Sequence, residues 1–202
     1  HVDVHARTAR AEGGVLWKEF NRETQVHALA TTGGVVGSTG IAGLTLGGGV
    51  GWLMPKYGLA LDNLRSADVV TADGRVLRAS ADENADLFWA IRGGGGNFGI
   101  AASLEYDLHA VGPTITGGVV VHPLARAVDT LRLFRDMCAA LPDEMMLVAG
   151  LQTAPDGSDA KVLVDVVGRV VDQRVGEGDL AADGHQVAAL GQADDVAVLH
   201  HR

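Results

Sequence analysis

The residues most able to do chemistry lie between Thr32 and Tyr57, in the stretch TGGVVGSTGIAGLTLGGGVGWLMPKY. Nine glycines fall between Gly33 and Gly51. Glycine serves where a backbone must take positive φ or approach a ligand with no Cβ in the way. The residues between them (Val35, Val36, Ile41, Leu44, Leu46, Val50) are apolar, whereas flexible linkers pair glycine with polar residues. The stretch therefore reads as a ribbon of turns with its amides aimed at acceptors, which every backbone N–H needs. A large, anionic, planar cofactor would supply several acceptors. The competing reading is a glycine-rich packing corner between sheets.

Other chemistry is weakly encoded. Gly94 to Gly99 (GGGNFG) fits G-x-G-x-x-G by letters, but the dinucleotide fingerprint follows a strand and opens a helix. Here a helical pattern precedes it and a strand pattern follows. No P-loop and no G-x-S-x-G elbow occur. The eight histidines show no metal-ligand spacing on an expected element, so no metal is expected. Asp62 and Asn63 read as ligand contacts or as turn formers. Trp52 and Tyr57 read as flanks of a ring system or as packing. Cys138 falls on the apolar face of an expected helix, where a buried, inert thiol is expected.

The elements around the ribbon follow from periodicity. Val2 to Val4 and Thr8 to Ala11 read as short strands, and Leu16 to Leu29 as a helix with Leu16, Phe20 and Thr24 on one face. Ser66 to Ala79 reads as a hairpin about Asp73-Gly74, with both turn residues at φ > 0. Ser80 to Glu83 fits a capping box opening a helix that Gly93 stops. Ile100, Ala102, Leu104, Tyr106 and Leu108 alternate as the inward face of a strand. Gly112-Pro113 closes this region. Beyond it, Gly117 to His122 reads as a strand. Leu124 to Leu141 reads as a helix with Val128, Leu131, Phe134, Cys138 and Leu141 on one face. Met145 to Thr153 and Lys161 to Val167 read as a hairpin around Pro155 to Ser158. From Gly168 the pattern is lost, and residues 168–202 read as an irregular or disordered tail.

The chain has 202 residues, 47% of them hydrophobic and only 4% aromatic, so Val, Leu, Ile and Ala must fill the core. The net charge of −9 argues against nucleic acid or an anionic membrane as partner. One cysteine excludes an internal disulfide. No signal-peptide pattern is visible at the start, which favours the cytoplasm while leaving the compartment unknown. The chain begins without methionine and reads as a piece of something longer.

The ordered pieces LATTGGVVGSTGIAG, LGGGVGWL, KYGLALDNL, SADVVTADGRVLRAS, DLFWAIRGGGGNFGI and LHAVGP resemble the flavin-binding module of the vanillyl-alcohol oxidase / p-cresol methylhydroxylase (PCMH-type) family. They are most similar to its berberine bridge enzyme-like oxidoreductases. The resemblance covers residues 2–112 and continues more weakly to Val167. It implies an α+β fold: a partial PCMH-type FAD-binding domain over 1–112 and the start of an antiparallel-sheet substrate domain over 113–167. It implies FAD as cofactor and a small-molecule substrate (an alcohol, sugar or natural-product intermediate) in the full-length parent, oxidised by hydride transfer to flavin. Gly34, Val35, Val36, Ser38, Thr39, Gly40 and Gly43 would lie along flavin and pyrophosphate, with amides offered from around Ser38, Thr39 and Gly40. Gly47 and Gly48 would keep the next turn close to the ring. Asn97, Gly99 and Ile100 would complete the pocket near the adenosine half.

Three departures accompany the resemblance. Val36 stands where doubly linked members carry a flavin-attached cysteine. The upstream pyrophosphate loop, with the histidine that often links to flavin, is not in this sequence. Nor is the late tyrosine often proposed as the base, so no catalytic acid or base is named. The chain by itself is expected to self-associate through unpaired sheet edges and not to turn over substrate. The alternative is a truncated, non-catalytic scaffold acting only by association.

Overall fold

A computed structural model describes residues 1–112, 115–153 and 161–170. The chain divides into two compact units, His1–Pro113 and Thr114–Arg202, taken separately below. Together they carry helices and antiparallel sheets in an α+β arrangement. Among the described residues, no helix is long and apolar enough to cross a membrane.

The first unit is built on a five-stranded antiparallel sheet. Its strands are β1 (Val2–Asp3), β2 (Thr8–Glu12), β4 (Leu64–Val70), β5 (Val76–Ser80) and β6 (Ile100–Asp107), in the order β1-β2-β6-β4-β5. A two-stranded piece joins β3 (Leu29–Ala30) to β7 (His109–Ala110). Helices α1 (Trp17–Gln25), α2 (Ile41–Leu46), α3 (Met54–Tyr57) and α4 (Ala85–Gly94) lie in the connections. Trp17, Phe20, Ile41, Val69, Ile91, Leu104 and Tyr106 belong to one buried core. A polar face carries the surface pairs Arg10–Asp68, Arg78–Glu105 and Arg65–Asp107. Exposed pairs of this kind contribute little stability.

Several expectations need correction. Helix α1 ends at Gln25, because Ala28 takes φ 53° and turns the chain into β3. Its buried face is Trp17, Phe20 and Thr24, with Leu16 preceding the first turn. The Leu16 N–H donates to Glu19 Oε2 at 2.9 Å. In the β4–β5 hairpin only Gly74 has positive φ. Gly74 N–H bonds the Thr71 carbonyl and Thr71 N–H bonds that of Arg75, a three-residue loop rather than a two-residue turn.

Ser80 opens no helix. Its Oγ accepts from the N–H groups of Asp82 and Glu83, but its own N–H donates to the Glu83 carbonyl, closing a turn. Helix α4 begins after Asn84, and Gly93 at φ 106° breaks it. In β6 the alternation holds for Leu104 and Tyr106, both fully buried. It fails upstream. Asp68 pairs with Ser103 and Val69 with Ala101, so Ala102 is skipped at a bulge. Beyond the bulge the inward face passes to Ala101, and Ile100 is 74% exposed.

The second unit carries β8 (Ile115–Pro123), β9 (Met145–Thr153) and β10 (Lys161–Val170), antiparallel in the order β8-β10-β9. Helix α5 (Ala127–Cys138) follows a 3-10 turn at Leu124–Arg126 and packs on β8 and β9. It stops short of Leu141. Its sheltered face is Thr130 with the half-buried Ala127, Phe134 and Met137. The expected stripe is offset from it: Val128 is 61% exposed, and Cys138 is exposed rather than a buried thiol. Strand β10 runs on to Val170, past the point where the sequence pattern fades. The loop at Pro155 to Ser158 and residues 171–202 lie outside the described residues.

Candidate functional site

The glycine ribbon is held by the start of α1. The first N–H groups of a helix have no partner within it. Here Trp17 N–H donates to the Thr39 carbonyl at 3.0 Å and Lys18 N–H to the Gly37 carbonyl at 2.8 Å. Ile41 N–H in turn donates to the Val15 carbonyl at 2.9 Å, with Leu16 and Gly40 facing each other as an antiparallel bridge. In a trans peptide the carbonyl of one residue and the N–H of the next point in opposite directions. Carbonyls 37 and 39 point at α1, so the N–H groups of Ser38 and Gly40 point away from it.

Among the described residues no hydrogen bond is made by the N–H groups of Gly34, Val35, Val36, Gly37, Ser38 or Gly40. The sequence expectation needs one correction. Thr39 N–H is occupied by the Val36 carbonyl at 3.2 Å, and the same carbonyl accepts from Thr39 Oγ1 at 2.7 Å. Thr39 shapes the turn and offers no free amide.

The glycines divide into two groups. Those of the first are packed. A Cβ on Gly33 would lie 2.6 Å from the Trp17 ring, and one on Gly34 would lie 2.5 Å from Leu44. A Cβ on Gly51 would lie 1.7 Å from the Gly33 carbonyl oxygen, and one on Gly99 2.4 Å from the Val70 carbonyl oxygen. At these positions close packing accounts for glycine. A Cβ on Gly40 or Gly43 would meet nothing within 4 Å, so packing gives no reason for glycine there. Gly40 has φ −73°, which any residue adopts, so its bare surface rather than its torsion distinguishes it. Gly47 follows α2 on the exposed side, and Gly48 takes φ 119°.

The ribbon also carries an apolar tip. Val35 and Val36 are 55% and 53% exposed side by side. Just before the ribbon, the buried Thr31 and Thr32 hydroxyls have no partner among the described residues. The second glycine run comes close through the helices: α2 packs against α4 and against the 3-10 turn Gly95–Phe98. This brings Asn97 toward α2. Asn97 donates to the Gly94 carbonyl at 2.7 Å and stays exposed, and Ile100 follows with its side chain in solvent. Exposed valines, unbonded amides and cradles open at Gly40 and Gly43 fit a flat, polyanionic group lying along the ribbon.

Other sequence candidates are structural. Asn63 Nδ2 donates to the Tyr57 and Leu59 carbonyls, which turns Oδ1 toward His109 Nε2 at 2.5 Å. Asp62 accepts from Leu59 N–H and pairs with Arg92. The Tyr57 ring stacks on His109 at 3.9 Å between centroids and 10° between planes. Burial lowers the His109 pKa, opposed by Asp107. Trp52 is half-buried. Among the described residues no group of His, Cys, Asp or Glu could hold a metal ion.

The sequence reading missed Trp17 and Tyr106 as supports of the ribbon. Tyr106 Oη and Thr45 Oγ1 share a buried hydrogen bond of 2.8 Å that ties α2 to β6. The available signal was the helical spacing of Trp17, Phe20 and Thr24.

Residues 1–80 match the family model described as FAD binding domain. The chain is 53% identical over 112 residues to the FAD-linked oxidoreductase pgmH of Aspergillus terreus, covering 55% of this chain and 23% of that protein. Among solved structures it is similar to 6-hydroxy-D-nicotine oxidase from Arthrobacter nicotinovorans. There the TM-score is 0.79 at 32% identity, over 98% of this chain and 43% of that one. The BBE-like 1 protein of Physcomitrella patens gives a TM-score of 0.73 at 26% identity, over 86% of this chain and 37% of that one. The chain spans about a quarter of the length of curated relatives it matches.

Proposed function

We propose that this chain carries part of an FAD-binding domain of the vanillyl-alcohol oxidase / p-cresol methylhydroxylase family and that its glycine ribbon holds FAD within a larger oxidoreductase. The single observation that carries this reading is the line of N–H groups at residues 34–38 and 40 left unbonded among the described residues, with those of Ser38 and Gly40 turned outward by the α1 contacts. Ser38 and Gly40 donate to the anionic part of the cofactor. Val35 and Val36 lie against its planar part and keep water from that face. Gly40 and Gly43 leave room for its approach. Asn97, Gly99 and Ile100 close the far end, with Ile100 covering what its exposure now leaves open.

FAD, held by these residues, would supply the redox chemistry as a hydride acceptor. No residue between Gly33 and Gly51 can titrate, so the ribbon binds and orients but moves no proton. The acid or base comes from another segment. The substrate of the whole protein is an alcohol, sugar or natural-product intermediate; the name of the similar 6-hydroxy-D-nicotine oxidase supports the natural-product member of that class. Residues 1–112 act as the cofactor domain and 113–167 begin the substrate domain. The test is anaerobic mixing of the full-length, FAD-loaded protein with panels of these compounds. Bleaching of the visible flavin absorption by one class supports the reading. A protein that binds flavin yet is reduced by none of them leaves the non-catalytic scaffold instead.

A further inference from the structure

We infer that Trp17 is a positioning residue for the cofactor: its buried ring is the bed that sets the height of the ribbon. Trp17 is fully buried, and one part of its ring faces the bare backbone of two glycines. A Cβ built on Gly33 would stand 2.6, 2.8 and 2.9 Å from its Cε3, Cζ3 and Cδ2 atoms, and one on Gly34 3.5 Å from Cδ1. The backbone at 33–34 therefore lies directly on the indole. The same residue's N–H holds the Thr39 carbonyl, which turns the Gly40 amide outward.

The ring cannot yield. It meets Phe20 edge-on at 5.5 Å and Tyr106 at 5.9 Å, and those two meet at 5.3 Å. Tyr106 in turn reaches Thr45 through its hydroxyl, so one aromatic triad grips the ribbon before its turn and at the end of α2. Packed interiors transmit small shape changes because they contain few voids. A smaller ring at 17 lets residues 33–34 sink and displaces the outward amides from their donor positions. Positioning errors of this size weaken directional hydrogen bonds steeply.

This inference rests on the FAD reading above, and its test separates the two. FAD affinity of the purified full-length protein is measured by flavin fluorescence, and the unfolding midpoint is measured without FAD. The variants are Trp17→Phe, Gly33→Ala and the double variant. A Cβ at Gly33 collides with the indole but fills the space that a phenyl ring leaves. Each single variant should therefore bind FAD at least about tenfold more weakly. The double variant should recover most of that loss, which a purely additive stability defect does not do. If the wild-type full-length protein binds no FAD, both readings fall. If wild type binds and folded Trp17→Phe binds equally well, this inference alone falls. It falls as well if both single variants unfold and the double variant restores neither fold nor affinity.

Discussion

Gly51 lies against the backbone of Gly33 so closely that a Cβ at position 51 would stand 1.7 Å from the Gly33 carbonyl oxygen. The two ends of the glycine ribbon thus touch, backbone to backbone. Gly51→Ala must push them apart, and forced overpacking of this kind costs about 3 kcal/mol. Chemical denaturation should show a loss of that order.

Gly40→Val is the contrasting experiment. Nothing lies within 4 Å of a Cβ there and the torsions are ordinary. Stability should stay within about 0.5 kcal/mol of wild type. FAD affinity should fall at least about tenfold because the side chain occupies the approach path. Comparable losses of fold and binding at Gly40 would instead mark it as a packing glycine like Gly51.

A third prediction concerns pH. Burial holds the His109 imidazole below its ordinary value of 6.5. A base with a lowered folded pKa binds fewer protons folded than unfolded, so its stabilisation is complete above 6.5 and is lost as pH falls toward the folded value. The ring already donates from Nε2 to Asn63, so the loss comes from charging a half-buried ring rather than from breaking that bond. The unfolding midpoint of wild type should drop more between about pH 7.5 and about pH 5.5 than that of His109→Gln. Parallel profiles would show that His109 does not titrate in this range.

Val36 gives a fourth prediction. Its side chain is 53% exposed on the ribbon and has no sulfur to link flavin there. FAD bound by this chain should be released by acid precipitation and leave the supernatant yellow. Colour in the pellet would show a covalent bond formed elsewhere in the chain.

The ribbon was legible because nine glycines set among apolar residues stand out in the composition, but which of them pack and which stand open, as Gly40 and Gly43 do, was not. Which amides are free was not legible. Thr39 and Ser38 look alike in sequence, but the α1 contacts free one and the Val36 carbonyl binds the other. The sheet order was hidden for a similar reason: β6 inserts between β2 and β4, a pairing that no local pattern encodes. The bulge at Ala102 reversed the exposure of Ile100, because a single skipped residue exchanges the two faces of a strand. In α5 the exposed Val128 and Leu131 mimic a core stripe, so hydrophobic periodicity identified the helix but offset its sheltered face, keeping only Phe134 of the expected stripe.

The central claim is that outward amides of the ribbon hold FAD, and amide resonances report on it residue by residue. FAD would be titrated into isotopically labelled chain while its backbone N–H signals are followed. The account predicts saturable shifts concentrated at residues 34–38 and 40. The Thr39 amide, already bonded within its own turn, should move less than those of Ser38 and Gly40 on either side. Saturable binding that leaves the ribbon amides unmoved and shifts another surface would contradict the account.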